Sequence, residues 1–179
     1  NSIRMSDLID NLLTVAKIES GSFFLSEDEV SLENITQKLI QKFKSFALAS
    51  NVDVALFSGD HSLRVLGDLL WTEQVIENFL DNAIKYTKGG GEVAIKIYKK
   101  KKQVFFEIKD NGVGIPDKEK RFIFEKFFRS DNVFKKQIGG AGLGLHIAKK
   151  IIEKMGGKVG FSSKENKGST FWFSLPLIN

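Results

Sequence analysis

Three short segments carry residue types that can grip a phosphorylated, aromatic ligand: NFLDNAIKY at 78–86, DNGVGI at 110–115 and GAGLGL at 140–145. In the first, Asn78 and Asn82 are four residues apart and Lys85 is three further on, so all three project from one stripe of a helix. Val75, Phe79 and Ala83 occupy the opposite stripe. A hard cation such as Mg²⁺ takes oxygen ligands and keeps several waters, so one or two amide oxygens plus phosphates satisfy it. Lys85 can serve as a point charge on a phosphate. In the second segment Asp110 ends a strand pattern, and Asn111, Gly112 and Gly114 force a tight turn that Pro116 leaves in a fixed direction. An acid so placed can accept from the exocyclic amine of adenine. In the third, glycines open a helix, where main-chain N–H groups and the helix dipole favour phosphate.

Each segment alone has a plainer reading: a solvated helix face, an Asx-capped turn, or the glycine-rich loop of a dinucleotide fold. The last is disfavoured because the glycines do not follow a strand. A P-loop is absent, since no Gly-Lys-Ser or Gly-Lys-Thr stands at the required spacing. Together and in this order, the three read as a Mg-ATP site. Between the second and third lies FIFEKFFR at 122–129. Its aromatics anchor a short helix, and Arg129 either reaches a terminal phosphate or is a surface arginine. His61 and His146, the two histidines, have no metal-ligand partner at suitable spacing and read as structural or solvated.

These residues need a scaffold. The 179 residues suffice for one domain plus a short extra element. There is no Cys, which excludes disulfide scaffolds and Cys-based metal sites. No apolar run approaches the ~20 residues of a membrane span, and no signal peptide is visible. The net charge of +5 admits nucleic acid as a partner, but the densest basic run, residues 99–102, lies between two strand patterns and reads as a solvated hairpin tip. Nucleic acid is therefore not expected.

Helical spacing runs through residues 1–20, 34–50, 68–86 and 143–155, the last with Leu145, Ala148, Ile152 and Met155 on one face. Strand patterns occupy 29–32, 52–57, 63–66, 92–98, 104–108, 158–162 and 170–175. Residues 117–128 read as one or two short helices. Residues 129–142 carry little apolar content and read as a mobile segment. The elements do not alternate regularly, so the expectation is an α+β fold: a two-layer α/β sandwich, a mixed sheet with helices on one face, preceded by one helix. That first helix is apolar enough to need a partner outside this sequence. The chain begins with Asn rather than Met, which suggests a piece of something longer.

The chain resembles the catalytic, ATP-binding domain of bacterial sensor histidine kinases, in the wider group that includes gyrase, the Hsp90 chaperones and MutL. Residues 78–87 look like the N box, 110–114 the G1 box, 122–129 the F box, 140–145 the G2 box and 168–171 (GSTF) the last glycine motif. The resemblance implies the Bergerat-type ATP-binding fold over residues 25–179. It also implies that residues 1–21 end the second helix of a dimerisation and phosphoacceptor domain. Implied ligands are ATP and Mg²⁺, with Asn78 and Asn82 around the metal and Lys85 and Tyr86 near the phosphates. Asp110 would hold the adenine amine, with Gly112, Gly114, Gly140, Gly142, Leu143, Gly144, Leu145 and Thr170 lining the nucleotide. Arg129, on the terminal phosphate, and Lys85 would be the catalytic residues, and a lid would span 129–142. Ala141 stands where many relatives have Thr. The resemblance further implies transfer to a histidine on the first helix of the phosphoacceptor domain, a helix that is not in this sequence. It implies a response regulator as partner, a homodimeric parent in the bacterial cytoplasmic membrane, and a cytoplasmic location for this part. A nucleotide sensor without transfer and an ATP-gated clamp are the alternatives. The intact Asn82, Lys85, Asp110 and Arg129 favour the enzyme over the sensor.

Overall fold

The computed structural model describes residues 2–130 and 140–178. Residues 131–139, the greater part of the expected lid, lie outside the described residues. The elements in order are α1 (Ser2–Glu19), β1 (Asp28–Val30), α2 (Leu32–Ala49), β2 (Val52–Ser58), β3 (Val65–Gly67), α3 (Leu69–Tyr86), β4 (Gly91–Lys100), β5 (Gln103–Asp110), a 3₁₀ helix (Asp117–Phe122), α4 (Gly144–Lys154), β6 (Lys158–Lys164) and β7 (Gly168–Pro176).

Side chains cap two of these helices. Ser31 accepts from Asn34 N at the start of α2, two residues earlier than the apolar spacing suggested, and Asp68 accepts from Trp71 N at the start of α3. Asp68 also receives Ser26 N (2.9 Å) and Ser26 Oγ (2.8 Å), which ties the chain after α1 to α3. Only the first part of residues 117–128 is helical, as 3₁₀. The rest turns, with Phe127 in the left-handed region (φ 62°).

Five strands form a mixed sheet in the order β2-β4-β5-β7-β6, and β1 and β3 make a separate antiparallel pair. β2 runs parallel to β4, and the remaining neighbours are antiparallel. Helices cover one face. Val75, Ile76, Phe79, Leu80 and Ala83 of α3 meet Val93, Ile95, Ile97, Phe106, Ile108, Phe173 and Leu175 of the sheet. Phe79 packs on the rings of Phe106, Phe171 and Phe173 at 5.8–6.4 Å between centroids. On α4 the buried stripe is Ile147, Ala148, Ile151 and Ile152. Ala148 and Ile152 lie on it as expected, while Leu145 and Met155, expected on the same face, are only partly buried. The other sheet face is open, as expected of two layers, with Tyr98, Phe105 and Trp172 in ring contact across β4, β5 and β7.

α1 leans on α4 through Val15 and Ile18, while Ile9, Leu12 and Leu13 stay exposed. Its end is fastened by an ion pair between Glu19 and Lys126 and by Lys154 Nζ donating to Phe23 O. Among the described residues no helix is long and apolar enough to cross a membrane.

Candidate functional site

The candidate residues gather at the end of the sheet where β5 stops. Asp110 is paired in register with Val93 on one side and Ser169 on the other, so both neighbouring strands bury it. It is 6% exposed. Its Oδ1 accepts from Gly112 N (2.9 Å) and Ser169 N (3.2 Å), and no described residue donates to Oδ2. Burial pushes the carboxyl above its ordinary value of 3.8, against the pull of those two amides. The carboxylate is thus held at one oxygen and available at the other.

The turn that follows is locked to two elements. Val113 N donates to Tyr86 O (3.1 Å), and a Cβ on Gly112 would stand 2.1 Å from that same oxygen. Gly114 has φ +63°, and a Cβ there would meet Lys164 O at 2.0 Å. Ile115 N donates to Ser163 Oγ, which is 2.8 Å from Ser169 Oγ. The glycines here permit close approach of main chain to main chain.

One expected member does not join this group. Thr170 is in register with Lys109 and Ser162, so strand alternation puts its side chain on the open face of the sheet, away from Asp110. Ser169 takes that place: it is buried and bonded to Asp110. The resemblance implied threonine, and the register puts serine beside Asp110.

On α3, Asn78 Nδ2 donates to Gly144 O at 3.3 Å, which brings the polar helix face against the glycine loop and leaves Oδ1 as acceptor. Asn82 is half-buried on the same stripe. Lys85 is bound by Asp81, one turn back. Sequence reasoning missed Asp81, although the Asp-to-Lys spacing of four was its signal. The Tyr86 phenol is pushed up, first by burial and then by the Asp81 carboxylate, while the charge of Arg129 pulls it down. The charges of Arg129 and Asp81 thus both bear on Tyr86, which follows Lys85 at the end of α3.

α4 begins differently from α2 and α3. No side chain caps it: Leu143 at its N-cap makes no such hydrogen bond. The first-turn N–H groups are left for another acceptor. Leu143 is buried and Leu145 partly so, so these two offer main chain rather than side chain. Gly142 (φ +73°) is pressed on the main chain of Phe127 and Phe128, and Phe127 N donates to Gly142 O at 2.9 Å. Gly140 (φ +138°) has no atom of the described residues within 4 Å of where a Cβ would stand. His146 bonds Phe124 O, and His61 bonds Glu33, so both histidines have protein partners.

Among the described residues no group of three or more His, Asp or Glu is arranged to hold a metal. Amide oxygens and ligand phosphates would serve a cation here. The donor set fits a nucleotide with a hard cation: an open carboxylate oxygen at one end, uncapped amides, asparagine oxygens and cationic side chains at the other. A concavity of about 800 Å³ on the open sheet face, beside Phe57, Lys96 and Tyr98, contains none of these residues.

Comparison with known proteins gives a consistent picture. Residues 67–179 match the family described as histidine kinase-, DNA gyrase B-, and HSP90-like ATPase. The sensor histidine kinase GacS of Pseudomonas protegens is 35% identical over 175 residues, covering 95% of this chain and 19% of GacS. Full-length ShkA in complex with AMPPNP superposes with a TM-score of 0.85 at 27% identity, covering 97% of this chain and 36% of that one. The histidine kinase ThkA in complex with the response regulator protein TrrA gives a TM-score of 0.75 at 28% identity, covering 97% and 49%. The chain spans about a fifth (19%) of the length of the curated relatives it matches first.

Proposed function

The chain belongs to the histidine kinase-, DNA gyrase B- and HSP90-like ATPase family, and from that membership we propose that it is the ATP-binding catalytic domain of a sensor histidine kinase, acting on a histidine of a phosphoacceptor helix. Residues 25–179 would form that domain, and residues 1–21 would end the second helix of the dimerisation and phosphoacceptor domain. A response regulator would receive the phosphoryl group next, and the parent would be a homodimer at the cytoplasmic membrane.

The observation that carries this reading is the contact of Asn78 with Gly144 O, beside an α4 N-terminus that no side chain caps. It sets an asparagine face, a lysine and free amides opposite one another, which is what a polyphosphate needs. Bound Mg-ATP supplies the phosphoryl group and a cation that offsets its charge. The residues do the rest. Asp110 Oδ2 accepts from the adenine amine and rejects guanine, whose carbonyl at that edge would face a buried carboxylate. Asn78 and Asn82 offer oxygens to the cation. Lys85, released from or shared with Asp81, meets the phosphates. Arg129 meets the terminal phosphate, where charge shifts most during transfer.

The test uses radiolabelled ATP with this chain, alone and with a separately prepared phosphoacceptor domain of the same parent. Label is expected on the added domain alone. Stable label on His61 or His146 of the chain by itself would sink the reading. Binding of ATP with no transfer in any mixture would support a nucleotide sensor instead.

A further inference from the structure

Glu119 is a buried acid with no part in the site described above. It is 6% exposed, in the 3₁₀ helix Asp117–Phe122. Burying a carboxylate is costly unless hydrogen bonds compensate, so its place beneath the surface implies a constraint. Its carboxylate accepts from Ser130 Oγ. Ser130 directly follows Arg129, and on the other side of Arg129 the ring of Phe128 packs on Phe122, 5.7 Å between centroids. Both neighbours of Arg129 are thus fastened to the same 3₁₀ helix. That helix continues from the Gly114 turn that Lys164 O and Ser163 hold in place.

We propose that Glu119 is the positioning residue for Arg129, holding through Ser130 the stretch of chain that aims the guanidinium at the phosphate end of the site. Fixing an arginine costs both side-chain rotamer freedom and backbone freedom. Anchoring the residues on either side removes much of the backbone share of that cost before any ligand arrives. The guanidinium already lies close enough to Tyr86 for its charge to bear on the phenol. The proposal rests on the reading of Arg129 given under Proposed function, and two separate readouts test it.

The first needs no nucleotide. The chain has two tyrosines, so 3-fluorotyrosine in a Tyr98→Phe background reports on Tyr86 alone. Arg129→Ala moves the fluorine resonance. Glu119→Ala and Ser130→Ala are expected to move it to the same place, while Glu119→Gln, whose amide oxygen still accepts from Ser130, leaves it unmoved. Glutamine removes the charge of Glu119 as alanine does, so a direct field effect would move both alike and overturn the proposal. An unmoved resonance in Glu119→Ala would overturn it too.

The second is transfer to the added phosphoacceptor domain. Glu119→Ala and Ser130→Ala are expected to cut kcat about tenfold with KM for ATP changed less than about twofold, the pattern of a misplaced group that acts in the transition state. Glu119→Gln should restore most of the rate. Glu119→Ala should add nothing to Arg129→Ala. Additive losses, or a raised KM at constant kcat, would show that Glu119 only stabilises the fold. If Arg129→Ala itself transfers at the wild-type rate, the catalytic reading of Arg129 falls, while coincident fluorine shifts would still establish that Glu119 positions it.

Discussion

The two ends of the candidate site are built on opposite principles. Around Asp110 nearly every group is engaged: one carboxylate oxygen holds two amides, and the turn is wedged between Tyr86 O and Lys164 O with no room for a single methyl group. At the other end Asn82, Lys85 and Tyr86 are half-buried, α4 starts uncapped, and Gly144 has ordinary space, with the nearest atoms of Asn78 3.5 Å from where a Cβ would stand. The rigid end suits a flat base read by one hydrogen bond, because an edge must be met at fixed geometry. The open end suits a polyphosphate and its cation, whose charge needs many groups that rearrange. Fold stability is vested in the turn of the first end, and room for a charged ligand in the second.

The substitution expected to have the largest effect attacks the rigid end. Gly114→Ala must place a methyl group against Lys164 O in a left-handed residue, so it should lower unfolding free energy by about 3 kcal/mol. Urea denaturation checks this, and a loss below about 1 kcal/mol would mean the turn is softer than its contacts imply.

Arg129→Ala comes next, and it probes the open end. The fold should be untouched, and transfer should fall about a hundredfold, the usual cost of removing one group that meets transition-state charge. ATP affinity measured by calorimetry should fall much less. Equal losses in both would place Arg129 in ground-state binding only.

Asp110→Asn separates stability from recognition at a single residue. Its amide oxygen can still take Gly112 N and Ser169 N, so the urea midpoint at neutral pH should hold or rise. ATP affinity should drop tenfold or more, about 1.4 kcal/mol, and the preference over GTP should vanish. The pH dependence follows from the raised carboxyl. Affinity is lost as pH falls through that raised value, above the 3.8 of an ordinary aspartate. For the fold the sign is reversed: the ionised form is disfavoured by burial, so Asp110 withdraws stability as pH rises from 3.8 through its folded value. The asparagine variant should lack both dependences.

The smallest effect completes the comparison. Gly144→Ala sits in the first turn of α4 with room for its methyl group, so it should stabilise the fold by about 0.5–1 kcal/mol. Yet it narrows the approach of phosphate to the main chain and should weaken Mg-ATP binding. If binding improves along with stability, the glycine loop does not carry phosphate.

Sequence patterns identified the helices, the sheet strands and the three site segments, because each depends on local spacing. α3 needed only its apolar stripe and the Asp68 cap, and the turn after β5 needed only its glycines. What escaped was set by partners far along the chain. Nothing near residue 170 reveals that β7 pairs with β5 in the register that sends Ser169, not Thr170, to Asp110. The α4 stripe kept Ala148 and Ile152 but took in Ile147 and Ile151 ahead of Leu145 and Met155, because α4 packs against both α3 and the sheet and so buries a wider face than one stripe. Asp81 was legible as a four-residue spacing, but its competition with a phosphate for Lys85 has meaning only once both face one site.

By itself the sequence determined which residues can do chemistry, the order of the segments that carry them and the two-layer class of the fold. These follow from residue type, glycine freedom and the 3.6- and 2-residue periods, all local. The tertiary structure alone decided which strand faces meet, that the acids Asp110 and Glu119 are buried, and that the charge of Arg129 bears on Tyr86. Those are matters of burial and of charge acting through space, and both depend on what the rest of the chain brings alongside.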